Sequence, residues 1–89
     1  MEGRKEVYEE ALIRWGKHNQ LVVAIEEMSE LQKEICKYFR HEGKDKDFIE
    51  EVADVSIMIE QIILMFGIKD DVNKVMEEKV QRLKRRLSK

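Results

Sequence analysis

The chain has 89 residues, of which 43% are hydrophobic and 40% are charged, and its formal net charge at pH 7 is −2. This length allows one domain spanning 1–89, and the balanced charge argues against a non-specific polyanion binder. The single cysteine excludes an internal disulfide bond, the N-terminal segment is charged, and no apolar run is long enough to span a bilayer. We therefore expect a cytoplasmic protein with no membrane partner.

Four helices are predicted, because glycines divide the chain and no segment alternates apolar and polar residues as a strand would. The first and third helices should end at Gly16 and Gly67. Candidate N-caps of the second, third and fourth helices are Asn19, Asp47 and Asp70. The pattern predicts an all-α, compact four-helix module. Its helices are expected at about residues 2–15, 20–40, 48–66 and 71–87.

The second predicted helix carries acidic residues beside its apolar face. Glu27 and Glu30 are three residues apart and therefore share one side of the helix. The helical period places Glu27, Glu30 and Glu34 along one flank of the apolar face and turns Glu26 away from it, so that Glu27 and Glu30 are expected to point inward. The apolar face itself consists of Ala24, Met28, Leu31, Ile35 and Tyr38.

In the third predicted helix two acids interrupt an apolar stripe. Glu51 and Asp54 share a face with Phe48, Val55 and Met58. Carboxylates on a buried surface are costly unless a cation compensates them. The sequence has no lysine or arginine at 47–68. The compensating charge must therefore come from another helix or from a metal ion.

The same helix is apolar on nearly all sides. Its far side carries Ile49, Ile57, Ile63 and Leu64, so most of its surface needs cover. Three neighbouring helices of one short chain can hardly supply that cover. We therefore expect the central helices to pack against a second copy, giving a homodimer or homotetramer.

The last predicted helix and the only tryptophan are weaker evidence for a functional site. Lys79, Arg82 and Arg86 form a basic strip that could face an anion, although such strips are usually solvated. With a net charge of −2 we expect no nucleic acid partner. Trp15 could stack on a base, but a residue of this kind more often anchors a helix to its bundle.

Acidic spacing alone is weak evidence for a site. The chain has 14 glutamates, and Glu6 and Glu9 also form an E-x-x-E pair on a helix with no other site signal. A solvated flank with surface salt bridges explains that pair well. It explains Glu51 and Asp54 poorly, since they lie within an apolar stripe. Four converging acids favour divalent metal ions and phosphate chemistry.

The two acidic motifs together resemble a known family. EEMSEL at 26–31 followed by EEVADV at 50–55 is similar to the MazG-like all-α nucleoside triphosphate pyrophosphohydrolases. The resemblance covers most of the chain, from about Trp15 to the basic strip. The related phosphoribosyl-ATP pyrophosphohydrolases are expected to show a Tyr-His pair soon after the acidic motif. Residues 56–58 read Ser-Ile-Met here, which argues against that assignment.

The resemblance implies a metal site and a reaction. It implies that Glu27, Glu30, Glu51 and Asp54 bind Mg²⁺, with Mn²⁺ as a substitute, and that the ions hold the triphosphate of a nucleotide. Water would attack the α-phosphorus, releasing a nucleoside monophosphate and pyrophosphate. It also implies a dimer or tetramer with sites between helices.

Other residues would serve the substrate in this interpretation. We expect the outer phosphates to be neutralised by the basic strip of Lys79, Arg82 and Arg86, or by Lys33 of the second helix. Two alternatives stay open: a nucleotide-binding protein without turnover on the same scaffold, and a helical interaction module that binds no ligand.

Overall fold

The computed structural model describes residues 3–89, and these residues form three α-helices and no strand. The helices are α1 (Arg4–Phe39), α2 (Asp45–Phe66) and α3 (Lys69–Leu87). The predicted all-α class is confirmed. The predicted count of four is not, because one long helix, α1, covers the range expected for two. The expected first-helix start at residue 2 lies outside the described residues.

Gly16 is the point at which α1 changes direction. Its φ of 85° and ψ of 158° lie outside the helical region, in a conformation almost confined to glycine. Asn19 is not the N-cap that we predicted. It lies within α1, and its Nδ2 donates a hydrogen bond to the Trp15 carbonyl at 2.8 Å. The predicted boundary at Gly16 is therefore a bend between two helical parts of α1.

The helix ends follow from backbone conformation more than from side-chain caps. Gly67 ends α2 with a φ of 61°, as expected, and His41 takes the same left-handed conformation after α1. At both ends the next two amides bond back to carbonyls of the last turn, which is the Schellman pattern. The predicted caps Asp47 and Asp70 are wrong, because α2 and α3 begin earlier and neither N-terminus has a side-chain cap.

Both parts of α1 pack on α2. After the bend the two helices run antiparallel, so that Glu27 lies by Asp54. Before the bend, Arg4 Nη1 donates to both oxygens of Glu60 at 3.0 Å, and the Tyr8 hydroxyl donates to Glu60 Oε1. The α1–α2 hairpin is therefore the framework of the molecule.

The single chain has a very small core. Among the described residues the buried hydrophobic side chains are those of Ala24, Val55 and Met58, and α3 buries none. The radius of gyration is 16.0 Å, whereas a compact domain of this length would have about 12 Å. One copy alone is therefore less compact than the sequence led us to expect.

None of the helices within residues 3–89 has both the length and the apolar character needed to cross a membrane.

Replacing Gly16 with alanine should destabilise the protein by about 1–3 kcal/mol, because a Cβ there is strained by the backbone conformation. An added Cβ would meet no atom within 4 Å, so steric overlap does not contribute. Gly67→Ala should cost about 1 kcal/mol for the milder left-handed conformation. Urea unfolding at one protein concentration measures both. Gly43→Ala is the control, since its φ is not positive and its nearest contact would be 3.4 Å. Equal stability of the Gly16 and Gly43 variants would contradict this explanation of the bend.

Candidate metal centre

The α1–α2 hairpin brings together three of the four predicted metal ligands. Glu27 of α1 faces Glu51 and Asp54 of α2, and one carboxylate oxygen from each lies within 4.8 Å of the others. Glu51 and Asp54 are one helical turn apart, so both point to the same side of α2. The three carboxylates, which we call the acidic cluster, are only partly shielded: Glu27 and Glu51 are half-buried and Asp54 is exposed.

Glu30, the fourth predicted ligand, lies at the edge of this cluster. Its side chain is exposed, and it is not among the three residues whose oxygens converge. Its negative charge nevertheless contributes to raising the pKa of both Glu27 and Glu51. Glu30 is thus close enough to act on the cluster electrostatically and is placed one turn along α1 from Glu27.

The carboxylates of the cluster repel one another. Desolvation is the main cause that raises the pKa of Glu27, and protonated Glu27 also gains from donating a hydrogen bond to Asp54. Desolvation likewise raises the pKa of Glu51, followed by the negative charges of Asp54, Glu30 and Glu34. Each effect disfavours the ionised form. The arrangement therefore favours uptake of a proton or of a cation.

Two buried carboxylate oxygens of the described residues have no hydrogen-bond partner: Glu51 Oε2 in the cluster and Glu34 Oε1 beside it. Buried polar atoms are nearly always paired, and an unpaired one calls for an explanation. A hard divalent cation would supply the missing partner of Glu51, since Mg²⁺ prefers carboxylate oxygens. The donor set of Glu27, Glu51 and Asp54 consists only of such oxygens and fits this ion.

Glu34 is a residue that the predicted ligand set omitted. It is buried in α1, and its Oε2 accepts a hydrogen bond from Lys37 Nζ at 3.2 Å. The signal that could have singled it out is its spacing, seven residues after Glu27 and four after Glu30, which keeps it on the same side of α1. A glutamate in that stripe faces α2 at the level next to the cluster.

The predicted substrate-binding cations are not brought to the cluster within one chain. Lys79, Arg82 and Arg86 lie exposed on α3, which makes few contacts with α2 and none with α1 among the described residues. Lys33 is exposed on α1, and the ion pairs found within residues 3–89 do not join it to an acid. Trp15 is exposed next to the bend, at the far end of the hairpin from Glu34.

Comparison of the chain with models of known protein families, with curated proteins and with solved structures finds no match in any of the three.

Asp54→Asn should stabilise the metal-free protein, and the gain should grow as the pH rises. A carboxyl whose pKa is raised by folding stabilises the folded state below its unfolded pKa and loses that contribution as the pH passes its folded pKa. Glu27 and Glu51 both belong to this case. Removing the Asp54 charge weakens the repulsion that appears as Glu27 and Glu51 ionise, which is above the ordinary pKa of a glutamate because both pKa values are raised. Thermal melts from pH 4 to pH 8 with a chelator measure the difference from wild type.

Glu9→Gln is the matched control for that series, because Glu9 is an exposed acid of α1 before the bend. The melting-temperature difference between Glu9→Gln and wild type should not grow as the pH rises. A melting-temperature gain for Asp54→Asn that is equal at pH 4 and pH 8, or a loss at pH 8, would contradict the repulsive origin of the raised pKa values.

Proposed function

We propose that the protein is a Mg²⁺-dependent nucleoside triphosphate pyrophosphohydrolase, which converts a (d)NTP to a (d)NMP and pyrophosphate by attack of water at the α-phosphorus. The observation that carries the proposal is the convergence of Glu27, Glu51 and Asp54 within 4.8 Å, with a buried Glu51 oxygen that lacks a partner. The reaction class comes from the resemblance of the motifs at 26–31 and 50–55 to MazG-like enzymes. We place the activity in the cytoplasm, as nucleotide-pool house-cleaning.

The cluster residues and Glu30 would together bind the metal ion and the substrate. When bound, the metal would supply charge neutralisation at the phosphates and a nucleophilic water. Glu27 and Glu51 are the half-buried carboxylates and would hold the ion from the two helices. Asp54 and Glu30 are exposed and would complete the set from the open side, where a triphosphate can enter. Mn²⁺ should substitute, since it takes the same oxygen ligands.

Assembly of two or four copies is part of the proposal. The exposed hydrophobic surface supports it: Ile13 is 85% exposed, Ile49 64% and Ile59 48%, while the buried core is minimal. Assembly also bears on the cations of α3. Since Lys79 and Arg82 do not approach the cluster within one chain, a role at the outer phosphates requires a second copy or a movement of α3.

The first test is product analysis. The protein is incubated with each (d)NTP and Mg²⁺, the nucleotides are separated, and pyrophosphate is assayed. Monophosphate and pyrophosphate without diphosphate are expected, because attack at the α-phosphorus releases both outer phosphates together. Release of diphosphate and inorganic phosphate would show attack at the γ-phosphorus and would contradict the proposed reaction.

Removing the cluster charges should abolish turnover. Glu51→Gln with Asp54→Asn should lower kcat/KM by at least about 100-fold, the scale of losing a group that stabilises transition-state charge. The matched control is Glu6→Gln with Glu9→Gln, which alters the other E-x-x-E pair of α1, before the bend. A cluster variant with the kcat/KM of wild type would exclude the mechanism.

Melting temperatures measured with and without nucleotide and Mg²⁺ test the two alternatives. In a nucleotide-binding protein without turnover, nucleotide and Mg²⁺ would raise the melting temperature and no monophosphate would form. In a helical interaction module, neither addition would change the melting temperature. The exposed apolar surface favours this module as the second candidate.

The assembly has a separate prediction. Sedimentation equilibrium should give at least twice the chain mass of 10.7 kDa. Ile49→Glu together with Ile59→Glu should shift the mass toward one chain, because both side chains are exposed in the single chain and a charge in an apolar interface is costly. Lys5→Glu is a control for the added charge. A wild-type mass of 10.7 kDa at all concentrations would exclude the assembly.

A further inference from the structure

A cavity of about 460 Å³ lies beside the acidic cluster, where the end of α1 meets the start of α2. Its size is within the range of small-molecule sites. Two aromatic residues, Tyr38 and Phe48, and two acidic residues, Glu34 and Asp45, contribute to its lining. The lining includes Glu34, Tyr38, His41, Lys44 and Phe48.

The cavity has one buried acceptor without a donor. The Glu34 side chain is only 8% exposed, and its Oε1 is buried with no hydrogen-bond partner. Its Oε2 is paired with Lys37 Nζ at 3.2 Å. Lys37 therefore already balances the charge of Glu34, and the free oxygen favours a neutral N–H or O–H donor over a further cation. An acceptor left unpaired costs the full desolvation of that atom, which a donor from a ligand would offset.

The position of the cavity suits the organic part of a nucleotide. Glu34 is one turn beyond Glu30 on α1, and Phe48 is one turn before Glu51 on α2. One helical turn is about 5.4 Å, so the cavity begins within roughly that distance of the carboxylates that would hold the phosphates. The Glu34 charge contributes to raising the pKa of Glu51, as expected for near neighbours.

We propose that this cavity binds the nucleobase of the substrate, with Glu34 Oε1 accepting an N–H of the base and with Tyr38 and Phe48 contacting its faces. The inference rests on the proposed function, and it assigns Glu34 a part in base selection rather than in metal binding. Aromatic side chains stack on every base, whereas a fixed acceptor selects those that present an N–H at the right edge. The base would therefore lie in the cavity beside the cluster, and the triphosphate would lie at the cluster itself.

The test compares substrates and variants. kcat/KM is measured for four dNTPs, for an analogue of the best substrate with its base N–H methylated, and for deoxyribose 5′-triphosphate without a base. Glu34→Gln is nearly isosteric, and its amide oxygen can keep the bond from Lys37, which turns an NH₂ group toward the cavity. We expect about a 10- to 100-fold loss on the best dNTP, the scale of a hydrogen bond to a charged group. The loss on the baseless triphosphate should stay within about twofold.

A second variant guards against misfolding. Tyr38 is 68% exposed, so Tyr38→Leu should fold. It should lower kcat/KM for the best dNTP and leave kcat/KM for the baseless triphosphate unchanged. Glu9→Gln should alter neither. If Glu34→Gln and Tyr38→Leu hydrolyse all four dNTPs in the wild-type order and at wild-type rates, the base-site inference is overturned and the proposed function stands.

A binding measurement separates the remaining outcomes. If wild type hydrolyses no nucleotide, the amide resonances of Tyr38 and Gly43 are followed by NMR during titration with a dNTP whose α,β-bridging oxygen is replaced by methylene. Shifts at these residues that are absent for Glu34→Gln would support the base site while the hydrolytic function fails. The absence of shifts in wild type would overturn both.

Discussion

The antiparallel pairing of α1 with α2 is the constraint on which both the fold and the candidate site depend. It places Glu27 opposite Asp54 and Glu51, and it also contains the small buried core of Ala24, Val55 and Met58. The residues that hold the helices together are therefore interleaved with residues that repel one another. Such an arrangement is expected where a polar site is preserved at the expense of stability.

The sequence predicted the helical class and the convergence of three of the four acids correctly, because both follow from helical periodicity. Glu27, Glu51 and Asp54 each interrupt or border an apolar stripe, and stripes of two adjacent helices must face each other. Gly67 was also predictable, since a left-handed residue that ends a helix is usually glycine. The same rule missed His41, which takes that conformation without being glycine.

Other features depended on tertiary geometry that periodicity does not contain. The interruption at Gly16 was predicted, but the direct continuation of α1 beyond it was not, since glycine can either end a helix or allow a bend within it. The predicted N-caps Asp47 and Asp70 were wrong because both residues follow the observed starts of α2 and α3. The spacing of Glu34 after Glu27 and Glu30 places it on their side of α1, but the cavity beside it also depends on the loop after α1, whose position no local pattern fixes.

The repulsion within the acidic cluster and the exposure of the apolar surface both limit the stability of a single chain without a metal ion. A protein that buries few hydrophobic side chains has little free energy with which to hold repelling carboxylates together. Binding of a cation by Glu27 and Glu51 would remove the repulsion, and association of copies would cover the apolar faces of α2. Each event stabilises the folded state by mass action, so each should make the other more favourable. Under the proposed function, folding, assembly and cation binding would be linked equilibria, with the α1–α2 hairpin as their common element.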